Sequence, residues 1–123
     1  MDTALLDGVW VDVKNFLKDG LVDGTFWDKD TGMPISSHVK SRDDFVALFS
    51  QFIDQVENTL SSSGMPGLGE FFTVSLHDIL VIVIKHSDKI FQGMVIDPNK
   101  TNMGILYNVV LPKSIEKTKQ AMA

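Results

Sequence analysis

The sequence predicts an α+β fold in which one antiparallel sheet carries helices on its faces. Three observations lead there. Apolar residues recur at three-and-four spacing near the N-terminus, in a central stretch and towards the C-terminus, as amphipathic helices require. Between these stretches lie five short segments rich in Val, Ile, Phe and Thr, bounded by Asp, Gly, Ser and Asn. Within each group of such segments the connections are too short for a crossover helix, so neighbouring strands must run antiparallel.

The first helix spans Thr3 to Leu17, with Leu5, Leu6, Val9, Trp10, Val13, Phe16 and Leu17 as its apolar stripe. Lys18-Asp19-Gly20 ends it, the lysine complementing the helix dipole and the glycine permitting a left-handed cap. Leu21 to Trp27 and Met33 to Val39 then read as a hairpin around the polar turn Asp28-Lys29-Asp30-Thr31-Gly32. Pro34 cannot donate to a ladder, which makes the second strand an edge. Ser41-Arg42-Asp43-Asp44 resembles a capping box and starts the second helix. Its apolar residues Phe45, Val46, Leu48, Phe49, Phe52, Ile53, Val56 and Leu60 cover an arc of roughly 160° at about 100° per residue. A helix lying on one sheet needs a stripe of only about 100°. The excess predicts a second buried surface, supplied by a partner.

Ser61 to Gly67 is a short loop rich in serine and glycine. Glu70 to Leu76 alternates, with Phe72, Val74 and Leu76 on one face and Phe71, Thr73 and Ser75 on the other. Ile79 to Ile84 is uniformly apolar, as suits a central strand covered on both faces. Ile90 to Ile96 follows almost at once, and the pairs His77-Asp78 and Ser87-Asp88 leave room only for tight turns, giving a meander. Asp97-Pro98-Asn99-Lys100 breaks the sheet, after which Thr101 or Asn102 can cap a last helix carrying Met103, Leu106 and Val110. Pro112 removes a backbone bond there, so a kinked helix is expected, with a sixth strand ending at Leu111 as the alternative.

The 123 residues, 44% of them hydrophobic, suffice for one core, so residues 1–123 are expected to form a single domain. The absence of cysteine closes off disulfides, thiolate metal sites and cysteine nucleophiles. A net charge of −5 gives no electrostatic footprint for nucleic acid. The longest apolar run falls far short of the ~20 residues that span a bilayer, so membrane insertion is not expected. The acidic N-terminus lacks the basic and apolar segments of a secretory signal, and a cytoplasmic location is the default expectation.

Candidate chemical groups point to ordinary structural roles. Asp28 to Gly32 partly resembles a calcium loop, but the twelfth position, which needs a bidentate glutamate, is Val39. A hairpin turn fits better. His38, His77 and His86 fall on separate parts of the predicted sheet and should not converge on a metal or act as a shared base. Asp43, Asp44, Asp54 and Glu57 suit the first turn and solvated face of the second helix rather than a catalytic carboxylate pair. Gly64, Gly67 and Gly69 precede a strand, not a helix, and form no phosphate cradle. Arg42 is the one arginine, and its position suggests a surface residue rather than an arginine finger. No catalytic residue, metal or cofactor is expected. Trp10, Phe16, Phe26 and Trp27 read as packing residues, whereas Phe45, Phe49, Phe52 and Met65 could line an interaction surface.

Two stretches carry a resemblance. Leu21 to Ile35, with its acidic turn ending in Gly32, and Met94-Val95-Ile96-Asp97 followed by Thr101-Asn102-Met103-Gly104-Ile105-Leu106 resemble the first hairpin and the last strand with its helix entry in the Roadblock dynein light-chain family, in its bacterial and archaeal forms. These include the GTPase-activating polarity and gliding proteins. Pro112 departs from the family pattern. The resemblance, over roughly residues 5 to 120, implies a profilin-like α-β-β-α-β-β-β-α arrangement. It also implies sheet order 2-1-5-4-3, with the second helix on one face and the terminal helices on the other. It further implies a homodimer in which second helices pack together and third strands pair edge to edge.

The implied interface is Phe45, Phe49, Phe52 and Val56 at the centre of the arc, Val46, Ile53 and Leu60 along a flank open to the partner, and Phe71, Thr73 and Ser75 on the edge strand. The function this implies is a non-enzymatic signalling module that binds and regulates a small Ras-like GTPase. The competing reading is a small-molecule sensor or adaptor of the PAS or profilin-like kind, which would need small or polar residues where Ile79 to Ile84 supplies bulky aliphatics.

Overall fold

A computed structural model describes residues 1–38 and 43–123. Helix α1 (Thr3–Leu17) leads through a 3₁₀ turn (Lys18–Gly20) into strands β1 (Leu21–Asp28) and β2 (Met33–Ser37). Helix α2 (Asp43–Ser62) follows, then the meander β3 (Phe71–Leu76), β4 (Ile79–Lys85) and β5 (Ile90–Ile96). A second 3₁₀ turn (Pro98–Lys100) precedes α3 (Met103–Ile105), a π-helical turn (Leu106–Val110) and α4 (Leu111–Met122). Val39 and, of the suggested capping box, Ser41 and Arg42 fall outside the described residues.

The five strands form one antiparallel sheet in order β2-β1-β5-β4-β3, as the resemblance implied. Local chemistry sets the ends of the elements. The Asp2 carboxylate accepts from the Leu5 N–H at 3.2 Å and caps α1. Asp28 accepts from the N–H groups of Asp30 and Thr31, and Gly32 takes a φ of 70°, so the β1–β2 connection is a turn built by aspartate and glycine. Asn102 accepts from the Ile105 N–H at 3.1 Å and starts the last helical segment.

Both faces of the sheet are covered, so side chains of the central strands alternate between two cores. Leu80, Ile82 and Ile84 of β4 join Leu6, Val9, Trp10, Val13, Leu106, Val110 and Leu111 beneath α1 and the C-terminal helices. Val81 and Val83 join Trp27, Phe91, Val95 and the α2 residues Val46, Phe49 and Ile53 on the other face. Two glycines allow the close approach of helix to sheet. A Cβ on Gly24 would lie 2.4 Å from the Trp10 ring, and one on Gly93 would lie 2.5 Å from the Phe49 ring.

The C-terminal segment takes the helical course and not the strand alternative. Residues 103–122 are helical throughout, so no strand ends at Leu111. Ahead of Pro112 the helix widens into a π turn, which places the missing N–H in the first turn of α4. Packing holds that turn in place, because Leu106, Val110 and Leu111 are all buried.

Candidate interaction surface

Helix α2 shows how the excess apolar arc is used. Val46, Phe49 and Ile53 recur at three-and-four spacing and face the sheet, 2%, 1% and 0% exposed. The Phe49 ring stacks on Trp27 at 5.5 Å, and Trp27 stacks on Phe91 at 5.9 Å. This corrects the expected phase of the arc. Val46 and Ile53 are not an outer flank, and Phe49 is not at a partner-facing centre: one end of the arc is already buried in the chain's own core.

The other end remains half-buried. Phe45, Phe52 and Val56 lie about a quarter turn round the helix from the buried stripe. Leu48, further out, is 43% exposed, and Leu60, half-buried, continues the line of the buried stripe near the end of α2. The direction of this flank follows from its opposite side. Asp54, about half a turn from Phe45, Phe52 and Val56, pairs with Lys29 of the β1–β2 turn at 3.2 Å. The apolar flank therefore points the other way, towards β4 and the edge strand β3. Phe45 and Phe52 pack on the same core as Phe72 and Val74 of β3, both half-buried. Half-buried apolar side chains of α2 and of β3 thus border one and the same core.

Among the described residues strand β3 pairs with β4 on one side only, and its outer N–H and C=O groups face away from the sheet. Phe71, Thr73 and Ser75 are exposed on the face opposite α2. An uncapped apolar edge of this kind is an association hazard unless something covers it. The strip on α2 supplies the side-chain half of such a surface, and β3 supplies the backbone half. On the outer side of α2, Leu48, Gln51, Phe52, Gln55 and Asn58 line a shallow depression of about 410 Å³. Met65, in the loop after α2, is 58% exposed.

Of the residues the sequence assigned to association, Phe45, Phe52, Val56, Phe71, Thr73 and Ser75 stand on or beside this surface, Leu60 lies in phase with the buried stripe near the end of α2, and Val46, Phe49 and Ile53 are buried in the core. Leu48 was missed. Its place at the outermost edge of the arc was the available signal.

The histidines lie apart from this surface. His38 stands beside Trp10 with ring centroids 6.5 Å apart, and burial holds its pKa below the usual histidine value. His77 is nearly fully exposed at the β3–β4 turn. His86 Nε2 lies 2.9 Å from Gln92 Oε1, and burial pushes the imidazole down to about 4. Among the described residues no three His, Asp or Glu side chains converge as metal ligands. Between α1 and α4 the space lined by Val9, Val13, Phe16 and Val110 amounts to about 10 Å³, room for about one water. Among the described residues no helix is long and apolar enough to cross a membrane.

No protein-family model matches the chain, and no curated protein matches it. Solved structures do. Myxococcus xanthus MglB superposes with a TM-score of 0.82 at 11% identity, over 98% of this chain and 90% of that one. A Roadblock/LC7 domain from Streptomyces avermitilis gives 0.79 at 13% identity, over 94% of this chain and 96% of that one. The gliding protein MglB from Thermus thermophilus gives 0.79 at 9% identity, over 98% and 90%. The chain has the Roadblock-type fold.

Proposed function

We propose that this chain is a homodimeric, non-enzymatic interaction module that binds and regulates a small Ras-like GTPase. The observation that carries the dimer is that half-buried Phe45 and Phe52 of α2 and Phe72 and Val74 of β3 border one core, beside a β3 edge that no described strand pairs. A twofold axis beside that edge would pair β3 with its copy and bring the two α2 flanks together, so one self-complementary patch covers both liabilities. The exposed backbone gains hydrogen bonds, and the half-buried phenyl rings leave water.

The GTPase half of the reading draws on the Roadblock-type fold and on the resemblance of the β1–β2 hairpin and the α3 entry to that family. In this reading the paired α2 helices form the floor on which a GTPase rests. The depression around Leu48, Gln51, Gln55 and Asn58 contributes apolar and amide contacts. The dimer biases the switch segments of the GTPase by favouring one of their conformations, and no group on this chain takes part in bond-making.

Two experiments test the halves separately. Sedimentation at micromolar concentration should give about twice the 13.7 kDa chain mass, and a monomer would refute the dimer. The purified dimer, mixed with a Ras-like GTPase encoded in the same genome and loaded with GTP, should form a complex and change the hydrolysis rate. If it does neither, the GTPase assignment fails while the dimer stands.

A further inference from the structure

The sheet has two edges, β2 and β3, and their backbones differ. Along an antiparallel ladder, opposite residues alternate between hydrogen-bonded pairs and pairs whose N–H and C=O groups turn outward. The Lys85 N–H donates to the Glu70 carbonyl at 2.8 Å, so Glu70, Phe72 and Val74 turn to β4 while Phe71, Thr73 and Ser75 turn outward. These outward groups recur every second residue along six unbroken pairs, in a strand without proline or a charged side chain. An added strand needs that spacing. On the other edge the His38 N–H donates to the Gly24 carbonyl at 2.9 Å and the Gly32 N–H to the Asp28 carbonyl at 2.8 Å, so Gly24, Phe26 and Asp28 of β1 turn to β2. Thr25 and Trp27 turn away from it, and their partners Ser37 and Pro34 therefore carry the outward groups of β2. Pro34 has no N–H to offer. Ile35 is an unpaired bulge between Pro34 and Ser36, which sets the two outward positions three residues apart. Helix α1 fastens the bend: the Ser36 hydroxyl donates to the Asp7 carboxylate, and Trp10 Nε1 donates to the Ser36 carbonyl at 3.1 Å.

We propose that Pro34 and the Ile35 bulge close the β2 edge to a second copy of this chain, so that association through the sheet runs through β3 alone and stops at two chains. Pairing β3 with its own copy uses one patch twice and closes on itself. Pairing β3 with β2 of the next chain would leave a free edge at each end and build an open filament. The regular outward groups of β3 make that second arrangement a hazard, and β2 refuses it in two ways. A β3 strand laid on β2 finds no donor at Pro34 and, beyond the bulge, meets Ser37 out of step. The closure of β2 stands on its own backbone; the limit of two chains rests on the homodimer reading.

Sedimentation of the full chain from micromolar to millimolar concentration tests both parts. Pro34→Val restores the missing N–H, and deletion of Ile35 in the same chain also restores the two-residue spacing. The double change should raise the average mass about twofold or more above wild type, increasingly so with concentration. Pro34→Val alone, at a half-buried edge position suited to a β-branched residue, should keep the wild-type circular dichroism spectrum and raise the mass less. Ile35 packs against the core beneath α1; if its deletion unfolds the chain, Pro34→Val alone decides. Thr73→Pro in the wild-type chain removes an outward N–H from β3 and should leave a monomer. Folded β2 variants with the mass of wild type, a wild type that itself grows past two chains, or a dimer that survives Thr73→Pro each overturn the proposal. A monomeric wild type refutes the homodimer reading and with it the limit of two, whereas a gain in mass on opening β2 in that case still establishes the closure.

Discussion

Gly93→Ala puts the packing of α2 on the sheet to a quantitative test. Gly93 lies in β5, flanked by Thr25 of β1 and Val83 of β4, beneath the Phe49 ring. An added Cβ would stand 2.5 Å from Phe49 Cε2 and 2.6 Å from Cδ2. Carbon atoms at rest sit about 3.5–4.0 Å apart, so ring and strand must separate by about 1 Å. The ring has nowhere to go: it is 1% exposed, stacked on Trp27 and 6.0 Å from Phe45. Either α2 lifts or Phe49 leaves its rotamer, and overpacking of this kind costs about 1–3 kcal/mol. For a chain of this size each kcal/mol shifts Tm by about 4 °C, so Gly93→Ala should melt about 4–12 °C lower.

The assay is thermal unfolding followed by circular dichroism at one fixed protein concentration, because association would add to stability. Phe49→Leu also destabilises, but combined with Gly93→Ala it should cost less than the sum of the two, with a coupling of about 0.5–3 kcal/mol. An unchanged Tm for Gly93→Ala, or strict additivity in the double variant, would refute the reasoning. Gly24→Ala offers the same test on the other face, against the Trp10 ring.

Neighbouring residues on α2 should respond differently to the same charge. Ile53→Asp buries a carboxylate at a position 0% exposed and should unfold the chain at a cost above about 4 kcal/mol, whereas Phe52→Asp, on the half-buried flank, should remain folded and lose the dimer. Circular dichroism and sedimentation separate the two outcomes, and a folded monomeric Ile53→Asp would contradict the assignment of faces. His86 supplies a pH dependence. Its folded pKa of about 4 lies below the ordinary 6.5, so the unfolded chain binds more protons between these values. The stability is therefore fully present above pH 6.5 and falls as pH drops towards 4, by at most about 3 kcal/mol from this group. Urea titrations of wild type and His86→Gln across that window should diverge in slope, and parallel curves would exclude His86 as the source.

The elements were legible because their signals are local. The α1 stripe, the aspartate–glycine turn at Asp28 to Gly32 and the short connections of the meander, two residues (77–78) and four (86–89), each specify their structure within a few residues. Sheet order came from resemblance rather than from pattern, and the strand pairings bear it out. The interaction surface was legible only in part. The arc on α2 announced that more apolar surface existed than one sheet needs. Its width carries no information about which end the sheet takes, so Val46 and Ile53 were placed outside when both are buried.

The sequence by itself determined the kinds of element, their order and the presence of surplus apolar surface on α2, since periodicity and turn chemistry act over one or two turns of chain. The tertiary structure alone decided three things. It rotated α2 so that Val46, Phe49 and Ile53 meet Trp27 and β5, leaving Phe45, Phe52 and Val56 beside the β3 edge. It absorbed Pro112 in a π turn because Leu106, Val110 and Leu111 all had buried places to fill. It brought Phe71 and Tyr107, far apart in the chain, to the two sides of one groove. The first and third are matters of phase or juxtaposition between distant elements, set by which surfaces bury the most apolar area together, and no local window of sequence contains both partners.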